Sequence, residues 1–209
     1  MSKPGLILIG AGGHAHACID VIEQHGGYQI AGLIGMPDEM HDHHLGYAVI
    51  GTDTDLPKLA KTIPYALITL GQIKTPAHRT RLYQQVVALG FQLPTIIAPS
   101  AYVSRHASIG AGTIVMHGAI VNAGASVGKN CIINTRALLE HDATVADHCH
   151  ISTGAIINGN TVIGSGSFVG SGSIIKEGAS LGQNCLVGMG LAVRHNLPDN
   201  AQFAGYKIS

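Results

Sequence analysis

The chain has 209 residues, of which 11% are charged, and its acidic and basic side chains cancel to a formal charge of zero. That balance excludes the dense cationic surface selected by nucleic acid or an anionic membrane, and no stretch approaches the roughly 18 apolar residues of a membrane-spanning helix. Trp is absent and aromatic residues make up 4%, against 28 glycines, so a core has to be built from stacked aliphatic side chains.

The N-terminus, KPGLILIGAGGHAHA, has the outline of a signal peptide, but its apolar run is short and broken by glycines. A strand leading into a loop fits it better. Leu6-Ile7-Leu8-Ile9 reads as that buried strand, Gly10 to His14 as a tight turn, and His16 to Gln24 as a helix with Ala17, Ile19, Val21 and Ile22 at helical spacing. Tyr28 to Ile34 is a second strand, Met36 to Tyr47 a polar loop, and Asp55 to Lys61 a short helix. Ala66 to Leu70 is another buried strand, and Thr75 to Leu89 a helix that Gly90 caps. Strands alternating with helices predict a small parallel, Rossmann-like α/β unit over residues 1–93.

From residue 94 the grammar changes. Every sixth position from Ile97 to Val193, seventeen in all, is Ile, Leu or Val. A hexapeptide period is the signature of a parallel β-helix, in which three units close one eighteen-residue triangular coil. Four residues after nearly every apolar position comes a small one, and Cys131, Cys149 and Cys185 share that slot at multiples of eighteen. We read them as structural, small buried side chains. The absence of CxxC spacing argues against zinc or redox chemistry, and reduced thiols suit a soluble, cytoplasmic protein.

Three residues after each apolar position lies a turn slot, filled by Gly or Asn, which tolerate positive φ. Between 112 and 190 only Arg136, Asp142 and His148 break that rule, and they are consecutive, so one complete coil departs on all three faces. Triangular β-helices usually associate as trimers with sites in the grooves between neighbours. In that coil His141 stands beside Asp142, and a carboxylate fixes an imidazole's tautomer and raises its basicity, which is what a general base near neutral pH needs. His150, on another face, suits a wall of the same intersubunit groove. Gly159, one coil from His141, leaves a place where a ligand could approach the backbone.

The N-terminal turn also carries chemistry. Gly10, Gly12 and Ala15 form G-x-G-x-x-A between strand and helix, where phosphates reach backbone N–H groups. A dinucleotide would also want an acid at the end of the second strand. Gly35-Met36 stands there and the nearest acid is Asp38, so a nucleoside diphosphate fits better than NAD. His41 to His44 are adjacent loop residues rather than a ligand set converging on one ion, and no metal is expected.

A short α/β domain opening on GAGGH, followed by hexapeptide repeats containing NT, EHD and ADHCHIS, resembles the PglD/NeuD-like sugar acyltransferases. The resemblance covers essentially the whole chain. It implies a left-handed β-helix over 94–209, a homotrimer, and transfer from acetyl-CoA to the amino group of a UDP-linked amino sugar. The rival readings are O-acetylation of a sialic-acid hydroxyl and a non-catalytic repeat scaffold. Carried over by position, His141 is the general base and Asp142 the carboxylate behind it. His150 lines the acetyl-CoA thioester, Ser171 and Met189 touch the pantetheine arm through backbone, and Gly12, Gly13 and His14 hold the nucleotide sugar. Two departures stand out: Gly35-Met36 replaces the family's acidic pair, and Gly205-Tyr206-Lys207 replaces a G-x-P-A-[KR] ending, with Lys207 left to meet a phosphate.

Overall fold

The computed structural model describes residues 2–204. The C-terminal ending with Lys207 lies outside them. The first unit contains β1 (Gly5–Ile9), α1 (Gly13–His25), β2 (Gln29–Ile34), β3 (His43–His44), β4 (Tyr47–Gly51), α2 (Leu56–Leu59), β5 (Tyr65–Ile68) and α3 (Ala77–Ala88). The sheet order is β3-β4-β2-β1-β5, parallel except for the β3–β4 pair. β1 is buried on both faces, as a central parallel strand must be. Leu6 and Leu8 pack under α1, while Ile7 and Ile9 pack against Leu82 and Val86 of α3.

Four local features differ from the sequence expectation. The region read as a polar loop, Met36 to Tyr47, contains β3 and leads into β4, which pairs with it as a hairpin; only Val49 and Gly51 of β4 are buried, so its apolar signal is weak. α1 begins inside the glycine turn, at Gly13, and the second helix is a single α turn preceded by a 3₁₀ turn over Asp53–Asp55. α3 starts only after Pro76. It ends with Gly90 at φ 84°, where the N–H groups of Gly90 and Phe91 donate to the carbonyls of Val87 and Val86. That pairing is a Schellman ending, which needs the left-handed glycine.

The second unit is a left-handed triangular β-helix made of three parallel sheets of two-residue strands. One face runs from Ile96–Ile97 to Gln202–Phe203, the next from Tyr102–Val103 to Ala192–Val193, and the third from Ser108–Ile109 to Ser180–Leu181. The hexad side chains point inward and stack in register, for example Val121 on Leu139 and Leu139 on Ile157.

The small-residue slot is more than space-filling. Thr113 Oγ1, Cys131 Sγ, Cys149 Sγ and Ser167 Oγ each donate to the carbonyl fifteen residues on, at 2.8, 3.1, 3.2 and 3.0 Å. The three β-helix cysteines are buried and unbridged. Their thiols act as weak donors that satisfy corner carbonyls, which explains why Cys, Ser and Thr interchange there.

The outward residues make the three faces unlike. Ile96, Ile114 and Ile132 of the first face are buried in one core with Ala15, Cys18 and Ile22 of α1. The third face presents Ser108, Ser126, Thr144 and Ser180, with Val162 among them the one large apolar residue, 43% exposed. The middle face presents Tyr102, Ile120, Leu138, Ile156 and Ile174, with Tyr102, Ile120 and Ile174 exposed at 58%, 39% and 43%.

Arg79 of α3 ties the two units together. It is 2% exposed. Its guanidinium donates to the carbonyls of Ile68 and Leu70 and to both Asn130 oxygens across the junction. No carboxylate pairs with it among the described residues, and burial pulls its pKa down to about 10. No helix among the described residues is long and apolar enough to cross a membrane.

Candidate active site

All fourteen turn slots from 112 to 190 have left-handed φ, including Arg136 (58°), Asp142 (59°) and His148 (61°). The scaffold therefore keeps its backbone in the exceptional coil and carries side chains where glycine is easiest. The three residues occupy the three edges of the prism at one height, as the eighteen-residue period requires.

At the edge between the middle and third faces, His141 Nδ1 lies 3.0 Å from Asp142 Oδ2. A carboxylate only accepts, so Nδ1 carries the proton and Nε2 is left as the basic nitrogen. The Asp142 hydrogen bond, aided by the charges of Asp142, Glu140 and Glu177, raises the His141 pKa above its ordinary value against a smaller opposing effect of desolvation. Glu140 is fixed in turn: its Oε2 accepts from Asn122 Nδ2 at 2.9 Å and from the His141 N–H at 3.3 Å.

Two glycines one coil away make room for this pair. A Cβ on Gly159 would stand 2.6 Å from both Cε1 and Nε2 of His141. A Cβ on Gly124 would collide with Asp142 Oδ1. The imidazole thus occupies the space that the missing Gly159 side chain leaves. His141 and Asp142 remain more than half exposed, so Nε2 faces open space at the edge.

His150 lies elsewhere, on the first face beneath the α/β unit, and is 6% exposed. Its Nδ1 is 2.7 Å from the Gln72 carbonyl and its Nε2 is 3.1 Å from Asn134 Nδ2. The carbonyl requires Nδ1–H, so Nε2 accepts from the Asn134 amide and both nitrogens are committed within the chain. Desolvation first, then the Arg79 charge, lower its pKa to about 4 despite the Gln72 bond, which favours protonation. His150 is therefore neutral, and it pins the segment after β5 to the β-helix. Gln72 completes the pin, its Nε2 donating to the Gly166 carbonyl at 3.0 Å. Both ring nitrogens of His150 thus have partners within the chain.

The glycine turn meets the same junction. Gly12 caps α1 without a side-chain hydrogen bond, no acid lies in the first helical turn, and a Cβ on Gly12 or Gly13 would meet nothing within 4 Å. This bare helix N-terminus presents amide donors and a positive dipole end. His14, in the first turn, has its ring 6.3 Å from that of His150. Burial, then His150 and Arg79, lower its pKa to about 3. His14 Nε2 and Gln72 Oε1 are buried without a hydrogen-bond partner among the described residues, so both are free to meet polar groups of a ligand. Ser171 and Met189 sit on successive coils at a different edge, the N–H of Gly190 donating to the Ser171 carbonyl at 2.8 Å. The Ser171 hydroxyl pairs with Ser152 Oγ at 2.9 Å, and Met189 is 80% exposed.

A single chain therefore brings together His141, Asp142 and Gly159 at one edge, Gly12, Gly13, His14 and His150 at the domain junction, and Ser171 and Met189 at another edge. No hydrogen bond joins these groups among the described residues. Sequence reasoning missed Asn122 and Gly124 behind the base, and gave Glu140 of the EHD motif no role. It also missed Gln72, Asn134 and Arg79 at the junction. The eighteen-residue spacing of 122, 140 and 158 and of 124 and 142 was a usable signal for the first set.

A cavity of about 200 Å³ opens above the sheet between Gly10, Ala11 and Gly12, the β2 end at Ile34-Gly35-Met36, Leu70, and His78 and Leu82 of α3. β2 and β5 leave β1 on opposite sides. The cavity therefore occupies the crevice at the carboxyl ends of the strands where a parallel sheet reverses order, the usual nucleotide position.

The family model of the PglD N-terminal domain matches residues 5–86, and that of the hexapeptide repeat of succinyl-transferase matches 160–194. No curated protein matched the sequence. Among solved structures, the chain is similar to the acetyltransferase domain of PglB from Neisseria gonorrhoeae in complex with acetyl coenzyme A. The two share 32% identity over 95% of each chain, with a TM-score of 0.87. It is also similar to PerB from Caulobacter crescentus in complex with CoA and GDP-perosamine, at 31% identity over 95% of this chain and 92% of that one, TM-score 0.88. WeeI from Acinetobacter baumannii, 18% identical over 93% of this chain and 94% of that one with a TM-score of 0.72, shares the fold. With both domains matched in order and a third of its residues shared across nearly the full length of such relatives, the chain belongs to the PglD-like family of hexapeptide-repeat sugar acetyltransferases.

Proposed function

We propose that the protein is an acetyl-CoA-dependent N-acetyltransferase that acetylates the amine of a nucleotide-linked amino sugar, with His141 as general base. The observation that carries this reading is the His141–Asp142 pair, in which Nδ1 is tied at 3.0 Å and Nε2 is free above Gly159. The amine nitrogen attacks the thioester carbonyl while Nε2 takes its proton. The tetrahedral intermediate collapses with C–S cleavage, and the proton passes to the departing thiolate, giving the amide and CoA. Asp142 stabilises the transient imidazolium.

The bare N-terminus of α1 suits the diphosphate of the acceptor, with His14 Nε2 beside it for a further polar group. UDP is the nucleotide implied by the family resemblance, whereas the Caulobacter neighbour holds GDP-perosamine.

An exposed apolar face supports the reading. The edge bearing His141 borders an exposed apolar face, and exposed patches of this kind mark association surfaces. We place a second copy there and a closed trimer overall. Such an assembly would let the base of one subunit meet the nucleotide-binding junction of the next, which a single chain does not achieve.

The test is CoA release from acetyl-CoA with a panel of UDP- and GDP-linked amino sugars and sialic acids. N-acetylation of an amino sugar is the expected result. His141→Ala should lower kcat by about 10²–10⁴-fold while assembly persists. Near-native turnover in that variant, or O-acetylation in place of N-acetylation, would overturn the assignment.

A further inference from the structure

The end of β2 offers no acid in its own sequence, yet the folded chain puts one there. A 3₁₀ turn over Pro37–Glu39 bends the chain back so that Glu39 Oε2 accepts the Met36 N–H at 2.7 Å. The carboxylate then lies over Gly35, where a Cβ would stand 2.7 Å from that same oxygen. Gly35 does not have a left-handed φ, so its lack of a side chain serves space rather than backbone conformation. Any larger residue would push Glu39 away.

Glu39 and Gly35 both line the cavity above Gly10, Ala11 and Gly12. Glu39 is half-buried, and no hydrogen bond reaches its Oε1 among the described residues. The cavity's other acid, Asp53, already has a cation, Arg81, at 3.5 Å. Asp38, the nearest acid in sequence to the β2 end, is exposed and does not line the cavity.

The geometry points to Glu39 as the residue that binds the ribose diol of the nucleotide, standing in for the missing acid at Gly35-Met36. A carboxylate at this place accepts from a ribose hydroxyl when the diphosphate lies on the glycine turn at the start of α1. The 3₁₀ turn and the glycine together supply from five residues downstream of β2 what other nucleotide-binding sheets supply at the strand end. This assignment rests on the nucleotide-sugar reading above and refines it.

The experiment measures binding of UDP, GDP and their 2′-deoxy forms to the full-length protein by calorimetry, in native, Glu39→Gln and Gly35→Ala forms. Glutamine keeps an acceptor for the Met36 N–H and replaces the charged acceptor facing the ligand with a neutral amide, so the fold is preserved while the charge-assisted ribose contact is lost. The native protein should prefer the ribonucleotide by about tenfold or more, the worth of one hydrogen bond to a charged group. Glu39→Gln and Gly35→Ala should both reduce that preference several-fold while leaving 2′-deoxynucleotide affinity near native.

A ribo-to-deoxy ratio unchanged in Glu39→Gln would overturn the assignment. So would a change confined to the UDP-to-GDP ratio, which would mean that Glu39 reads the base. Failure of the native protein to bind any nucleotide would bring down the nucleotide-sugar reading, and this assignment with it.

Discussion

Acidification should destabilise this protein well above the pH at which its carboxylates titrate, because His150 and His14 are held neutral inside the domain junction. An unfolded-chain imidazole has the ordinary value of 6.5, whereas folded His150 stands at about 4 and His14 at about 3. A histidine whose folded pKa is depressed binds its proton first in the unfolded chain. Stability therefore falls as pH drops below 6.5, and the whole contribution is gone below the folded value.

For His150 the gap between 6.5 and about 4 corresponds to about 3 kcal/mol in full, of which about 2 kcal/mol is lost between pH 7 and pH 5. His14 adds a similar loss of about 2 kcal/mol over the same interval. A combined loss of about 4 kcal/mol is a large part of a total stability of about 5–15 kcal/mol. For a chain of this size it corresponds to a fall in Tm of roughly 8–16 °C.

Thermal melts at fixed protein concentration between pH 7 and pH 5, run on native protein and His150→Asn, measure this directly. The variant should be less stable at pH 7, having lost the bond that Nε2 accepts from Asn134 and the ring's packing, but its Tm should depend on pH about half as steeply. An NMR titration supplies the second readout: the His150 ring should stay neutral at pH 5. A native pH dependence in His150→Asn, or a His150 titration near 6.5, would refute the reasoning.

Other outcomes follow from the edge and the faces. Asp142→Asn should move the acid limb of the kcat/KM profile to lower pH, because His141 loses the hydrogen bond that raises its pKa and acts as a base only when neutral. An unmoved limb would detach Asp142 from the base. Gly159→Ala puts a methyl 2.6 Å from Nε2 of His141, so kcat should fall at least about tenfold with little change in KM for acetyl-CoA. A rise in KM alone would instead mean that the cofactor touches Gly159. Ile120→Asp, on the exposed apolar face, should shift the protein toward monomer in sedimentation velocity and remove turnover with it.

The β-helix was legible in the sequence because its core repeats: each inward side chain stacks on its equivalent eighteen residues away, so one register error would show in every coil. The α/β unit was legible in its buried elements and opaque at its edge, where β4 buries little and the hairpin with β3 reads as polar loop. Within the site, His141 and Asp142 could be found because they are neighbours in sequence. The state of His150 could not, since its partners Gln72 and Asn134 lie 78 and 16 residues away and only the packed junction joins them. Glu39 was hidden for a related reason: the expectation of an acid at a strand end looks along the strand, whereas this chain folds one back over a glycine. Met36 and Glu39 have the spacing of an N-terminal cap, and that was the available signal.

The exceptional coil finally separates what the scaffold wants from what the site needs. A non-glycine residue with left-handed φ costs about 1 kcal/mol or more relative to glycine, and this coil carries three in succession at 58°, 59° and 61°. Asp142 is held there by its bond to His141, and His148 by its contact with Asn130 at 3.0 Å and by the Tyr83 ring packed edge-on against it. Arg136 has neither kind of support: it is exposed and no side-chain hydrogen bond of its own is found among the described residues. Arg136→Gly should therefore stabilise the isolated fold by about 1 kcal/mol, read as a rise in Tm of roughly 2–4 °C. Asp142→Gly should also relax the backbone but abolish catalysis. If Arg136→Gly raises Tm and leaves turnover and trimer intact, the arginine is an incidental occupant of a slot that tolerates it. If Tm rises while turnover or assembly falls, the strain at Arg136 is retained for a contact that only the neighbouring subunit or the ligand completes. A lower Tm in a variant that remains assembled would show that the left-handed turn is not strained by its side chain, and would remove the argument from all three positions.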